Sequence, residues 1–600
     1  MFVRAISAVG FRNLSGRVPI CHPLAVIIGE NNTGKSNLID AMRLLFEPEA
    51  GPGARRWVTR QDFAHDEVGN VLVDTFEIEA ELTGLTDPER ARMVTCLAPS
   101  VGPNAARLRV RARLRADDRV DVEWFGGDSE HPDIEKWARE AVRHTYLPPL
   151  RDAAGDLRPG RDNRLVALLR TLAPEGHDDR DRIAEIMADA NANIRDVGAV
   201  QAAKQGIEER LRAMLGAGPF SQRTDLAFAE PRFDRIVSSL RALAGSNEPL
   251  ELGENGLGYN NLLYMAVLLA ALSGDAAGLH VLLVEEPEAH LHPQLQDLLM
   301  RYLEEAGGDG TQVIVTSHSP NFASSALVER TTVMVARAGG PHDGPPDGDA
   351  IGPDRVPRAQ GDVADPEVVP RVVARAPVDF GLTEKQLRHL RRFLDVTKAA
   401  LLFARGVILV EGVAEQLLLP VIASRLGRPL TRHGVAIINI GGVAFEPFVE
   451  LFGEDRLPYR CAVVSDSDPP EVSRGVAGAE GAAGKPPAVS ARAATLVQRE
   501  GGDVRVRLAR KTFEWDLAVA GNWDTMVEAL ERLKPVVARA LRNDYAAGSA
   551  DEAATELLSK LEDVKGQFAQ ELADMLEADP QIEFHVPAYL SEAIEWVTKA

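Results

Sequence analysis

The chain is poor in cysteine, with Cys21, Cys96 and Cys461 as the only thiols in 600 residues. An odd number of widely spaced cysteines builds neither a disulfide framework nor a zinc cluster, so all three are expected as buried free thiols. Although 45% of the residues are hydrophobic, no apolar run approaches the roughly 20 residues a membrane span requires. The opening stretch MFVRAISAVGFRNL also lacks a signal-peptide core. A soluble, cytoplasmic protein without membrane contact is the expectation. Positive charge is short as well: 67 Lys and Arg stand against 89 Asp and Glu, a net charge of −22. That balance excludes whole-surface attraction to a polyanion, so nucleic acid would have to be met by a local basic patch or through metal ions. Internal repeats are absent too.

What the chain has is length and alternation. Six hundred residues exceed what one hydrophobic core organises, so several domains are expected. Up to about residue 330 strands alternate with helices, beginning with the apolar run Leu24–Ile28, a Gly-rich turn and an amphipathic stretch, Asn37–Phe46. This is the unit of an α/β domain. Residues 71–82 and 107–115 alternate apolar and charged side chains like half-buried antiparallel strands, which predicts a β lobe inserted into that domain. Arg107, Arg109, Arg111, Arg113 and Arg115 then share one strand face. Such a face suits a phosphate backbone or makes a charged edge that deters strand pairing, and the edge is the preferred reading.

Between about 160 and 245 the spacing becomes helical, as in DRIAEIMADANANI and IEERLRAML, and this insert is a candidate dimer interface. A Gly, Pro and Asp-rich connector follows over 338–378; a helix over Thr383–Ala404 leads into a second α/β unit, and 469–492 reads as a long surface loop.

Five strand ends carry chemistry. GENNTGKS at 29–36 fits G-x-x-x-x-G-K-S between a strand and a helix. Gly29 and Gly34 free backbone N–H groups to face phosphates, with Asn31, Asn32 and Asn37 around them; Lys35 reaches the terminal phosphates of ATP, and Ser36 offers its hydroxyl to Mg²⁺. VLLVEEPEAHLHP at 281–293 ends a strand in Glu285, to support the ion, and Glu286, to polarise the attacking water. His290 and His292 just beyond are read as helix-start packing without metal. QVIVTSHSP at 312–320 ends in His318, a residue type suited to sensing charge. In the second half VILVEGVAE (407–415) delivers Glu411 and, after a tight turn at Gly412, Glu415, while CAVVSDSD (461–468) delivers Asp466 and Asp468. Four carboxylates at strand edges are the hard oxygen ligands that Mg²⁺ or Mn²⁺ prefers.

The first three motifs resemble ABC-type ATPases of the SMC, RecF and OLD (overcoming lysogenization defect) branch. ENGLGYNN at 254–261, with Gly256 and Gly258, resembles the degenerate signature of that branch, against a plain helix-start turn. FRNL at 11–14 resembles its nucleotide-side Arg12 and Asn13, against an ordinary strand end. The Glu and Asp-x-Asp pair resembles a Toprim domain. The OLD likeness continues through Thr512 and Glu514 of KTFEWDLA, Lys565 of KGQFAQELAD and the tail FHVPAYLSEAIEWV. Lys565 alone also reads as an exposed helix lysine.

The resemblance implies an ABC-type ATPase head in two parts, 1–165 and 246–378, around a helical dimerisation insert, 166–245, followed by a Toprim-like α/β domain with C-terminal helices, 379–600. It further implies an ATP-binding DNA endonuclease that uses Mg²⁺ or Mn²⁺ in a two-metal site. Glu411, Glu415, Asp466, Asp468 and Glu514 would share the ions, Thr512 would assist, and Lys565 would offset charge on the phosphate. A homodimer or higher oligomer, a UvrD-like helicase partner and a role in phage defence or DNA metabolism belong to the same expectation. The rival is an SMC or RecF-like DNA-binding ATPase whose Toprim fold is a non-cutting scaffold.

Overall fold

Leu24–Ile28 is buried at all five positions, as a strand covered on both faces should be. The computed structural model describes residues 1–48, 56–66, 68–132, 134–149, 157, 159–160, 163–216, 224–226, 230–244, 250–254, 256–271, 278–308, 310–337, 371–442, 444–453, 455–467, 490–545 and 549–599. In it this strand lies within a seven-stranded sheet ordered Arg371–Arg375, Thr331–Arg337, Leu24–Ile28, Thr311–Ser317, Leu279–Glu285, Val142–Leu147 and Glu47–Pro48. Both neighbours of Leu24–Ile28 run parallel to it. The edge strand Arg371–Arg375 is antiparallel to its partner, so the end of the expected connector is a strand; residues 338–370 lie outside the described residues. The chain divides into two compact units, one of Met1–Tyr146, Gly278–Glu285 and Gln296–Ala600, the other of Leu147–Ala277 and Glu286–Leu295.

Within the first unit, the strands Leu14–Pro19, Phe2–Phe11, Thr75–Thr83, Ala106–Leu114 and Val120–Gly126 form an antiparallel sheet in that order. Because it starts with the first two strands of the chain, it is part of the head and not an inserted lobe. The helix Lys35–Leu45 buries Leu38, Ile39, Met42 and Leu45 at helical spacing. These side chains share one core with Ile6, Ile78 and Val110 of the antiparallel sheet and with Ile27 of the parallel one.

The arginine stripe is neither a free track nor an edge. Ala106–Leu114 is paired on both sides, and its register sets Arg107, Arg109 and Arg111 opposite Glu81, Glu79 and Glu77. Arg111 pairs with Glu77 at 2.7 Å and Arg107 with Glu79 at 3.2 Å, while Arg109, only 4% exposed, meets Glu130 at 2.8 Å. Burial still pushes the Glu79 carboxyl up to about 7 against the pull of Arg107 and Arg109. Period-two charge on one strand therefore answers period-two charge of opposite sign on its neighbour.

The second half of the first unit is a four-stranded parallel sheet ordered Val435–Asn439, Gly406–Val410, Arg460–Ser465 and Val504–Leu508. The helices Val413–Arg425, Trp523–Leu533, Lys565–Ala578 and Ala588–Val597 share its core. The helix expected over Thr383–Ala404 spans only Glu384–Phe393. Asp395 ends it by accepting the Lys398 N–H at 3.0 Å, which starts a separate 3₁₀ turn over Lys398–Leu402.

The second unit is helical, with Arg164–Leu172, Asp178–Arg195, Gly198–Leu215, Phe233–Val237 and Leu257–Ala271. Its two 18-residue helices bury almost nothing: Asn191 is the single buried residue of Asp178–Arg195, and Gly198–Leu215 has none. All three cysteines are free and buried. No helix among the described residues is long and apolar enough to cross a membrane.

Arg109 also lies 3.9 Å from Glu79, both nearly fully buried, and removing the arginine strands that carboxylate. Arg109→Ala should therefore destabilise the first unit by about 3 kcal/mol or more, whereas Arg113→Ala, at an exposed position, should stay within about 0.5 kcal/mol. Urea unfolding of the two variants checks the contrast.

Candidate functional site

Strand register brings the ATPase motifs to one edge. Ile28 pairs with Ser317, and Glu285 pairs with Thr316. Gly29, Glu285 and His318 therefore leave three neighbouring parallel strands at their carboxyl ends, where ligands of such sheets bind. The loop then turns into the helix Lys35–Leu45. Gly34 caps that helix with φ 92°, a left-handed backbone that glycine adopts without strain. A Cβ on Gly29 would stand 2.4 Å from the Met334 carbonyl oxygen, so the close approach also excludes a side chain there.

Lys35 is buried and donates to the carbonyls of Gly29 and Glu30, both at 2.8 Å. The loop is thus closed on its own lysine. Asn31, Asn32 and Ser36 are exposed at its mouth. Asn13 donates to the Asn32 carbonyl at 2.9 Å and accepts from Asn37 Nδ2 at 2.6 Å. Arg12 reaches Asn37 at 2.8 Å and the carboxylates of Asp40 and Asp62, each at 3.0 Å. The FRNL segment therefore braces the phosphate loop and its helix.

Glu285 is buried and accepts the Tyr146 hydroxyl at 2.7 Å; His318 is exposed. Glu286 follows with φ 45° and belongs to the second unit. In that unit Gly256 is exposed just ahead of the helix Leu257–Ala271. Gly258 in its first turn lies so near the His290 carbonyl that a Cβ would stand 2.7 Å from it, and Asn261 donates to the Ala289 carbonyl at 3.2 Å. The glycine is needed there for packing against the turn that follows the second motif. His292 Nδ1 accepts the Gln294 N–H at 3.4 Å, a helix-start contact.

In the four-stranded sheet Val410 pairs with Val464, so Glu411 and Asp466 emerge from adjacent strand ends. Glu415 lies in the first turn of Val413–Arg425 and is buried. Gly412 has an ordinary extended φ of −141°, so the expected glycine-only turn is absent. A Cβ at this position would stand 3.2 Å from Glu415 Oε2, and the glycine leaves room for that carboxylate. Glu514, also buried, starts the short helix Phe513–Leu517 and meets Lys565 Nζ at 3.5 Å. Thr512 caps this helix, its hydroxyl accepting the Trp515 N–H at 3.3 Å. Asp466 accepts the Phe513 N–H at 2.9 Å, which ties the strand end to the same turn. Asp468 lies outside the described residues.

The acids feel one another. Burial first, then the charges of Glu415, Glu514 and Glu411, push the Asp466 carboxyl up to about 8. Burial first, then Glu514 and Glu411, pushes Glu415 up to about 7, against the pull of Lys565. Two partners escaped sequence reasoning: Ser465 donates to Glu411 Oε2 at 3.1 Å, and Arg492 meets Glu411 Oε1 at 3.0 Å. Ser465 is the strand residue directly before Asp466, whereas Arg492 carries no local signal, since only the tertiary fold brings it to Glu411. Among the described residues no three acidic, histidine or cysteine side chains already form a closed metal cage. The donor chemistry nonetheless fits a hard divalent cation: four hydrogen-bonded or buried carboxylates repel one another, with Lys565 and Arg492 paired against them among the described residues.

Comparison with known proteins agrees with this division of chemistry. Residues 1–72 match a family described as a protein of unknown function, 169–323 match an AAA ATPase domain, and 402–468 match the Toprim domain of overcoming lysogenization defect-like proteins. The chain thus carries an AAA ATPase domain and, behind it, an OLD-like Toprim domain. It is 25% identical over 462 residues to the "OLD nuclease" of Thermus scotoductus, covering 74% of this chain and 78% of that one. The uncharacterized protein YbjD of Escherichia coli K12 is 24% identical over 492 residues, covering 78% of this chain and 80% of that one. "Endonuclease GajA" of Bacillus cereus HuB5-5 is 22% identical over 236 residues, covering 36% and 31%. The chain is an enzyme of the nuclease class in which an ATPase domain precedes an OLD-like Toprim domain.

The raised acids set a sign for pH dependence. Asp466 prefers its protonated form in the fold, so its favourable contribution is full below its ordinary 3.8 and is lost as pH rises through about 8. In metal-free protein the melting temperature of Asp466→Asn minus that of the wild type should grow across that interval. Added Mn²⁺ should shrink the difference, and a flat difference would contradict the geometry.

Proposed function

We propose that the protein is a divalent-metal-dependent DNA endonuclease whose ATPase head governs the cut. The observation that carries this reading is the convergence of Glu411, Glu415, Asp466 and Glu514 beside Lys565 at one edge of the parallel sheet. Two Mg²⁺ or Mn²⁺ ions held by these acids, with Asp468 as a further expected ligand, would polarise the attacking water and the phosphodiester. The rest of the chemistry belongs to the chain. Ser465 and the Phe513 N–H hold Glu411 and Asp466 in place. Lys565, half exposed beside buried Glu514, offsets the negative charge that grows on the phosphate.

In the head, Gly29, Gly34, Lys35 and Ser36 would take the phosphates of ATP, with Asn13, Asn31, Asn32 and Asn37 bracing or rimming the loop. Glu285 would support an ion, Glu286 would orient water and His318 would sense the terminal phosphate; Gly256 and Gly258 would serve a partner's loop. This last role requires a second copy. The helices Asp178–Arg195 and Gly198–Leu215 suit that purpose, each about 27 Å long and with Ile186 61% and Met214 78% exposed. Helices that bury so little gain stability only against a partner.

Plasmid DNA with Mg²⁺ or Mn²⁺ tests the nuclease. Asp466→Ala and Glu514→Ala should each lower cleavage by more than about 100-fold, beyond the range of outer-shell losses, while Lys35→Ala should abolish ATP binding and leave the metal site intact. Folded wild-type protein that retains DNA with ATP but never cuts it would favour the scaffold reading instead. Light scattering should find a dimer or larger assembly that Ile186→Glu with Met214→Glu reduces to monomers; a monomeric wild type would sink the dimer.

A further inference from the structure

Tyr589 opens the C-terminal helix Ala588–Val597, and nothing in the mechanism above uses it. Contacts at both ends fix the direction of that helix. Near its end, Trp596 Nε1 donates to the Asp503 carbonyl at 3.3 Å, and Arg460 donates to the Lys599 carbonyl at 2.6 Å. A Cβ on Gly406 would stand 2.8 Å from the Val597 carbonyl oxygen. Asp503, Arg460 and Gly406 all lie at the starts of parallel strands. Near the helix start, Glu592 pairs at 2.8 Å with Arg507, close to the end of Val504–Leu508. The helix thus runs antiparallel to the strands and sets its first turn at the edge from which Glu411 and Asp466 emerge.

The Tyr589 ring packs on the core of the Toprim domain, and its hydroxyl is buried without a hydrogen-bond partner among the described residues. The charges it feels are those of Asp516, Asp466, Glu415 and Glu514. Asp516 has both oxygens engaged already, one by the N–H and the other by the guanidinium of Arg510. Asp466 has one oxygen, Oδ1, on the Phe513 N–H, and its second oxygen can accept. A buried orphan donor needs a reason, and a phenylalanine would fill the same volume without the hydroxyl.

We propose that Tyr589 is a positioning residue for the metal-holding acids, donating its hydroxyl to Asp466 when the site is loaded. The bond holds the Asp466 carboxylate in the orientation that ion binding needs, as outer-shell donors do for ligating groups. This rests on the metal-dependent reading above. The test is Mn²⁺ binding to the nucleotide-free full chain, followed by the resonance of free Mn²⁺, in the wild type, Asp466→Ala and Tyr589→Phe.

Sites lost in Asp466→Ala identify the Toprim ions, and Tyr589→Phe should bind them about 10- to 100-fold more weakly. The variant should also show a lower kcat, an unchanged KM for DNA and an unchanged metal-free melting curve. Equal Mn²⁺ affinity in folded Tyr589→Phe overturns the inference alone; a wild type without any Asp466-dependent Mn²⁺ overturns the metal reading together with it. Should Tyr589→Phe fail to fold, the wild type decides. Adding Mg²⁺ should red-shift its near-UV tyrosine absorption, an effect lost in Asp466→Ala, and no shift overturns the proposal.

Discussion

Like charges repel, and the second half of this chain is organised around holding four of them together. Adjacent parallel strands fix Glu411 and Asp466, a helix start fixes Glu415, and a capped short helix fixes Glu514. None of these could be kept near the others by their own attraction. The packed core of Phe513, Leu418, Leu572 and Ile594 holds them, and close packing transmits that restraint because side chains in it have one arrangement. The cost appears as carboxyls shifted far above their ordinary range, the usual mark of a site built for chemistry.

The head uses the same strand geometry with the opposite sign. Its three central strands end beside a helix N-terminus and a buried lysine, which gathers positive potential for an anion. Lys35 meets that need internally by bonding to the carbonyls of its own loop. The phosphate loop also touches the second sheet through Glu30, whose carboxylate takes Nε and Nη2 of Arg405 at 2.9 to 3.2 Å. Arg405 directly precedes the strand that ends at Glu411. The pair is exposed and adds little stability, so what it contributes is a direct polar link between the phosphate loop and the base of that strand.

Much of this was legible because buried parallel strands announce themselves. VILV, AVVS and LLVE are apolar runs that stop at an acid, and a strand covered on both faces leaves only its end free to be polar. Features that depend on a partner elsewhere were not legible. The arginine stripe read as an edge because Glu77, Glu79 and Glu81 are some thirty residues away in sequence yet opposite in space. Gly412 read as a turn residue, although its backbone is ordinary and its role is to make room for Glu415. The long helix after Thr383 broke at Asp395, whose side chain competes with the helix for a backbone N–H.

The balance of charge at the acidic edge sets protons there in competition with the metal ions of the proposed reading. Among the described residues, Glu411, Glu415, Asp466 and Glu514, if all ionised, face the cations Lys565 and Arg492, which leaves two negative charges unanswered. Burial makes that remainder expensive, and the metal-free fold answers it by drawing protons onto Asp466 and Glu415, the two acids with raised affinity for them. In the proposed reading, divalent ions loaded at the edge displace those protons.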